Sequence, residues 1–281
     1  MDTDKMLNKL ASHDNTAAGD YTENGIRVCG VCKEPKQKRI DIPGKDGALM
    51  LRAVPISCRC EREALEQEEE KERQKQFRLR MDELNEKFNV MDRAYSGYTF
   101  ANDDRKSEKL SSTCRRYVEQ WEKIRENNIG LLFYGNVGTG KSFYASAIVN
   151  ALLERRIPAA ITSFPRLLNL LQSAPNRQAL IDHLQAYKLL VIDDLGVERD
   201  SSYAAEQVFS VIDARARSGL PLIVTTNMTM EELKKPPTMQ YARIYDRVRE
   251  LCSVPIKMTG ESRRTGNAEV RAAIARDILR V

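Results

Sequence analysis

Apolar residues in the second half of the chain gather into short runs. "GLLFYG" (130–135), "PAAITS" (158–163), "KLLVIDD" (188–194), "PLIVTTN" (221–227) and "SVPIKM" (253–258) are rich in β-favouring residues. Runs without strict alternation predict strands buried on both faces. Between them the apolar spacing becomes helical, as from Phe143 to Arg155 and from Tyr203 to Ser218. Strands alternating with helices predict an α/β fold, with a parallel five-stranded sheet between helices.

The first half has a different pattern. Residues 1–25 are polar and read as a disordered tail. Residues 26–60 hold four cysteines and little periodicity, which suits a small metal-stapled module. From Glu61 to Phe88 the chain lacks helix breakers and is dense in Glu, Lys, Arg and Gln, which predicts a solvated helix with a lightly amphipathic later half. Residues 89–110 read as a loop leading into a helix around Ser111 to Glu126. The expected organisation is a tail (1–25), a cysteine module (26–60), a charged helical linker (61–97) and a nucleotide-binding domain (98–281).

Composition narrows the class only slightly. The 281 residues are 42% apolar and 30% charged, with a formal net charge of +5, which permits nucleic-acid contact without arguing for it. No stretch resembles a signal peptide or approaches a membrane span, so the expected location is cytoplasmic, with no membrane partner. Cysteines there are expected as metal ligands or buried thiols rather than disulfides.

"GNVGTGKS" (Gly135 to Ser142) fits G-x-x-x-x-G-K-[ST] without mismatch and lies between a strand pattern and a helix pattern. Gly135, Asn136, Val137, Gly138, Thr139, Gly140, Lys141, Ser142 and Phe143 form the expected ATP-binding segment. Its glycines allow a tight loop whose N–H groups face phosphate, and the helix N-terminus adds a favourable dipole. Lys141 is expected on the β- and γ-phosphates and the Ser142 hydroxyl on Mg²⁺. "LLVIDD" places two carboxylates at a strand's C-terminal end, where open α/β sheets bind ligands. Asp193 is the expected Mg²⁺-side carboxylate, and Asp194 the candidate to polarise the attacking water. Asn227, with Thr226 beside it, ends the next strand and is expected to orient that water or sense the γ-phosphate.

"CGVC" (Cys29, Cys32) precedes "CRC" (Cys58, Cys60) by about 25 residues. Four thiolates complete a tetrahedral Zn²⁺ shell, and so small a module needs such a staple. Structural zinc is the expectation; unliganded thiols and redox or Fe–S chemistry are the alternatives. His13 lies in the polar tail and His183 in a helical stretch, so neither is expected as a ligand. Cys114 and Cys252 read as packing residues.

Together "LLFYGNVGTGKS", "ITSFPRLL", "LLVIDDLGVERDSSYAAEQVFSVIDARARSGLPLIVTTN", "RIYDRV" and "GESRR" resemble the AAA+ P-loop ATPases. More narrowly, they resemble the DnaC/DnaI-type replicative helicase loaders and the related IstB-type transposition ATPases. The resemblance runs from about Tyr98 to Arg264. It implies an arginine finger at Arg247, with Arg243 the lesser match, reaching a neighbouring subunit's nucleotide, so that ATP-bound copies self-associate. It also implies a second sensor arginine at Arg264, beside Arg263. It further implies single-stranded DNA binding, with Phe164 and Arg166 either meeting a base and a phosphate or simply packing and exposed. Asp193-Asp194 replaces the Asp-Glu of most AAA+ motors. The shorter carboxylate predicts slow ATP hydrolysis and a switch rather than a processive motor.

The leading functional expectation is an ATPase that loads a hexameric replicative helicase onto single-stranded DNA, docking through the cysteine module. The alternatives are a transposition accessory ATPase that binds duplex DNA, and a nucleotide-gated adaptor with vestigial hydrolysis.

Overall fold

The computed structural model describes residues 17–43, 48–88, 90–104, 107–196, 202–260, 262, 274–276 and 278–279. His13, Arg263 and Arg264 lie outside them, as does most of the C-terminal "RAAIARDILRV". The chain divides into two compact units, Met1–Arg78 and Leu79–Val281.

In the first unit, β1 (Tyr21–Glu23) and β2 (Ile26–Val28) pair as a hairpin. Its turn residues Asn24 and Gly25 both have positive φ, 50° and 71°, the geometry that Asn-Gly favours. Strand β1 and this turn fall within the stretch expected as a disordered tail. A second hairpin joins β3 (Gln37–Pro43) to β4 (Leu49–Pro55) in seven-residue register. Helix α1 (Arg59–Phe88) then runs for 30 residues. Charged side chains cover its first turns. Past Arg78, in the second unit, Met81 is buried and Leu84, Asn85 and Phe88 are half-buried, so one face is covered there.

The second unit continues through α2 (Glu108–Glu119) and α3 (Trp121–Glu126), which replace the single helix expected near Ser111 to Glu126; the break falls at Gln120. The sheet follows as β5 (Leu131–Gly135), β6 (Ala159–Ser163), β7 (Leu189–Leu195), β8 (Leu222–Thr226) and β9 (Val254–Met258). All pairings are parallel, in the order β6-β7-β8-β5-β9. The intervening helices are α4 (Lys141–Glu154), α5 (Phe164–Ser173), α6 (Arg177–Leu184), α7 (Ser202–Arg217), α8 (Met230–Lys234) and α9 (Met239–Leu251). The expected α/β architecture with five parallel strands is thus present.

Side-chain alternation divides β5, β6, β7 and β8 between two cores, while edge strand β9 buries only Met258. Phe133, Ile161, Val191 and Ile223 pack with Tyr144, Ile148 and Leu152 of α4 and with Tyr117 and Trp121 of α2 and α3. The intervening positions Leu132, Ala160, Leu190, Ile192, Leu222 and Val224 are buried as well, because helices cover the other face too. Phe164, at the start of α5, is fully buried, which decides in favour of packing over base stacking.

A buried guanidinium joins several segments on that sheet. Arg215 of α7 is 0% exposed. It donates to the carbonyls of Tyr187 at 2.8 Å, Lys188 at 2.9 Å and Pro221 at 2.9 Å, with a longer bond to Leu184 at 3.4 Å. Burial pulls its pKa down to about 9, so it stays charged at neutral pH. Pro221 and Lys188 lead directly into β8 and β7, so this one side chain fixes where two central strands begin. Arg215→Leu would leave several buried carbonyls without donors. It is expected to cost about 3 kcal/mol or more and to lower the thermal midpoint by about 10 °C. A thermal unfolding scan checks this, and a shift below about 2 °C would mean that another donor takes over.

Candidate functional site

β5 ends at Gly135 and α4 begins at Lys141, leaving a five-residue turn between strand and helix. Gly135 requires its lack of a side chain twice over. Its φ is +124°, and a Cβ there would stand 2.3 Å from the Met258 carbonyl oxygen of neighbouring β9. Gly140 caps α4 at φ +100°. The first turn of α4 leaves N–H groups without intrahelical acceptors, the feature that favours an anion. The Lys141 ammonium is buried and donates to the carbonyls of Gly135 at 2.8 Å and Asn136 at 2.7 Å. Thr139 also donates to the Asn136 carbonyl, at 2.9 Å. Asn136 and Val137 are exposed, and Ser142 and Phe143 are half-buried. The ring of Phe143 packs against those of Tyr98 and Tyr144.

Two strands away, Asp193 on β7 is 1% exposed. One carboxylate oxygen accepts from the Tyr95 hydroxyl at 2.7 Å, and the other accepts from the Thr225 hydroxyl of β8. The same Thr225 oxygen accepts from the Asp194 N–H at 3.0 Å. The β7–β8 register shifts between Ile192 and Leu195, and Asp194 sits in that irregularity with φ +60°. Aspartate tolerates this left-handed backbone better than most residues. The bulge leaves Asp194 half-buried between two buried neighbours and re-aims it. Thr226 is fully buried; its hydroxyl donates to the Leu195 carbonyl at 2.7 Å and accepts from the Met228 N–H at 3.1 Å. It is therefore part of the strand junction rather than a free phosphate sensor. Asn227, next in sequence, is exposed just past the end of β8.

Of the three arginines on α9, the two finger candidates Arg247 and Arg243 have their partners away from this loop within the chain. Arg247 pairs with Glu250 at 2.6 Å and with Asp213 of α7 at 3.5 Å. Arg243 lies over the Phe209 ring, 4.2 Å from its centroid. His183 is a packing residue: its Nε2 lies 2.8 Å from the Leu84 carbonyl and its ring contacts Phe88. Cys114 and Cys252 are buried, as expected.

In the first unit, the sulfurs of Cys29, Cys32, Cys58 and Cys60 all lie within 4.8 Å of one another. Tetrahedral zinc with Zn–S bonds of about 2.3 Å needs sulfurs about 3.8 Å apart, so the cluster fits such an ion with little adjustment. Backbone N–H groups of Cys60 and Glu34 lower Cys32 to about 6, while hydrogen bonding to Cys32 pushes Cys60 up to about 12. Four sulfurs this close repel one another as thiolates, and a divalent cation removes that repulsion.

A buried ion triad, which motif reading missed, holds the two cysteine turns. Lys36 is 3% exposed and reaches Asp20 at 2.7 Å and Glu61 at 2.9 Å. Asp20 accepts the Gly30 N–H from the first Cys-x-x-Cys turn, and Glu61 accepts the Cys58 N–H from the second pair. Hydrogen bonding to Lys36 holds the Asp20 carboxyl down at about 2. With its pKa lowered on folding, Asp20 contributes stability above the ordinary carboxylate range and loses it as pH falls toward 2. Lys36→Met strands both carboxylates. The expected result is amide exchange at Gly30 and Cys58 faster by about tenfold or more, read by hydrogen–deuterium exchange, with the Arg215 region unchanged.

Over residues 60–270 the chain matches the family described as IstB-like ATP binding protein. It is 32% identical over 143 residues to the replicative helicase loader DnaC of Escherichia coli strain K12, covering 49% of this chain and 56% of that one. It is 31% identical over 148 residues to the replicative helicase loader DnaI of Bacillus subtilis strain 168, covering 48% and 47%. The chain thus spans about half the length of the curated relatives it matches. A crystal structure of DnaI superposes with a TM-score of 0.52 at 27% identity, over 62% of this chain and 94% of that chain. The fold is that of the AAA+ ATPases, and the chain belongs to the IstB-like ATP-binding family.

Proposed function

We propose that this chain is an ATP-switched loader of a hexameric replicative helicase onto single-stranded DNA. The observation that carries the reading is the phosphate loop Gly135–Ser142, two strands from buried Asp193 at the carboxyl edge of the same sheet. It stands in a chain whose relatives over this region are named helicase loaders.

In this reading Gly135 to Phe143 hold ATP. Lys141 exchanges its loop carbonyls for the β- and γ-phosphates. Ser142 and Asp193 offer a hydroxyl and a carboxylate, the hard oxygen donors that suit Mg²⁺. Bound Mg²⁺ neutralises phosphate charge. Asp194 polarises the attacking water and Asn227 orients it. Asp194 is short and sits on a bulge, which supports slow hydrolysis and an output carried by binding and release. Arg247 is the finger for a neighbouring copy's nucleotide. Its pairs with Glu250 and Asp213 lie at the surface, where solvent weakens such pairs, so they exchange readily for a phosphate. Arg264 is the second sensor.

Residues 26–60 are the zinc module, 61–97 the connector and 98–281 the ATPase domain. The zinc-bearing module meets the helicase. Leu49 and Leu51, which share one face of β4, and Met50 on the other are all exposed, and uncovered apolar side chains on a small module favour a partner.

The test mixes the full-length chain with a hexameric replicative helicase, with and without ATP, and reads stoichiometry and bound zinc by native mass spectrometry. A defined complex carrying one zinc per loader is expected. Leu51→Glu is expected to weaken it by about tenfold without altering ATP binding. Lys141→Ala is expected to weaken ATP binding by about tenfold or more and leave the zinc in place. No association in any nucleotide state would overturn the reading in favour of a duplex-DNA transposition ATPase. Association without any nucleotide dependence would favour a plain adaptor.

A further inference from the structure

The stretch between α1 and α2 is tied down at several points. Val90 is fully buried, and the Met91 N–H donates to Asn85 at 2.9 Å. The Asp92 N–H donates to the Ile161 carbonyl of β6 at 3.2 Å. The Tyr95 carbonyl accepts from Ser146 at 2.8 Å and from the Asn150 amide at 3.1 Å, and the same amide reaches the Tyr98 carbonyl at 2.8 Å. Ser146 and Asn150 lie one turn apart on α4, the helix that starts at the phosphate loop. This strap carries the Tyr95 hydroxyl to Asp193.

A carboxylate held by one donor can still rotate about its terminal torsion, which is broad and two-fold. Thr225 alone would leave that freedom. A second hydroxyl on the other oxygen fixes the plane, and each oxygen keeps a further acceptor position. The Tyr95 phenol suits this role, because its O–H donates to the carboxylate oxygen that Thr225 leaves open.

We propose that Tyr95 is a positioning residue for Asp193, its hydroxyl fixing the carboxylate in the orientation that serves bound Mg²⁺, with the strap setting the position of that hydroxyl. The proposal rests on the reading of Asp193 as the metal-side carboxylate. It places control of the metal site on a segment that follows directly from α1, outside the phosphate loop and both carboxylate-bearing positions.

The test titrates Mg²⁺ into the full-length chain with a fluorescent ATP analogue and records nucleotide affinity with and without the metal. Tyr95→Phe removes only the hydroxyl. It is expected to raise the Mg²⁺ half-saturation by about tenfold, as for partners that orient metal ligands. Metal-free nucleotide affinity is expected to stay at the wild-type value, and the thermal midpoint to fall by only a few degrees. Asn150→Ala leaves the hydroxyl in place but loosens the strap, which Ser146 still holds, and is expected to shift Mg²⁺ half-saturation in the same direction by a smaller factor. Asp193→Asn is expected to abolish the Mg²⁺ dependence. If Asp193→Asn abolishes it and Tyr95→Phe leaves it unchanged, the positioning role is wrong and the site reading stands. If Asp193→Asn leaves the dependence intact, the site reading beneath it is wrong. A Tyr95→Phe variant that loses metal-free affinity and thermal stability together would show a packing role only and overturn the proposal. An Asn150→Ala variant with wild-type half-saturation would remove the strap from it.

Discussion

The second unit is arranged around one buried carboxylate. A buried polar group without partners costs about 1–3 kcal/mol or more, so Asp193 dictates what surrounds it. The neighbouring strand must carry a hydroxyl at Thr225, and the stretch ahead of α2 must deliver another at Tyr95. Thr225 in turn takes the Asp194 N–H, which is displaced from the ladder by the bulge. The carboxyl edge of β7 is thus held by two hydroxyls from segments far apart in sequence. A third element, α4, fixes the backbone that carries Tyr95. The same helix begins at the phosphate loop, so loop and carboxylate share a mechanical reference.

The first unit solves a related problem with the opposite charge. Lys36 is buried at a position where a lone ammonium would be strongly unfavourable. Its two carboxylate partners spend their remaining acceptor capacity on the backbone of the two cysteine pairs. The triad therefore organises the turns before any ion is considered, and it lessens the ordering that metal binding must supply. Buried ion pairs seldom add net stability, but removing one partner is costly; such groups specify a geometry more than they strengthen it.

Local pattern foretold the sheet and the four-cysteine cluster closely and the hairpins of the N-terminal unit poorly. The apolar runs mark all five strands to within a residue or two; β5 to β8, buried on both faces, leave a continuous apolar signature, whereas edge strand β9 is mostly exposed. The loop Gly135–Ser142 was legible for a similar reason: its glycines are demanded by backbone angles, a constraint that operates within a few residues. Tyr95, Lys36 and Arg215 were not legible. Each acts on partners distant in sequence, up to 98 residues away for Tyr95 and Asp193, and no spacing rule encodes such a contact. The two hairpins escaped notice because β3 and β4 are mostly exposed and carry no clean alternation. Asn24-Gly25 was the available signal, a turn dipeptide in a stretch read as tail. Asp194 shows a further limit. The paired aspartates were visible, but the bulge that separates their environments was not.

The polar contacts also divide by how easily they can be exchanged. Asp193, Thr225, Thr226 and Arg215 are buried, and their bonds hold the strands to one another. Arg247 pairs at the surface with Glu250 and Asp213, and Asn227 is exposed. Lys141 stands between the two classes, buried yet bonded to carbonyls of a loop whose neighbouring residues Asn136 and Val137 are exposed. A nucleotide meeting this surface therefore has little to break in the sheet and much to rearrange at its rim. That division suits the proposed switch. In that reading nucleotide binding is felt in the loop and at Arg247, whose surface pairs solvent weakens, while the strand ends that present the carboxylates stay where the buried network puts them.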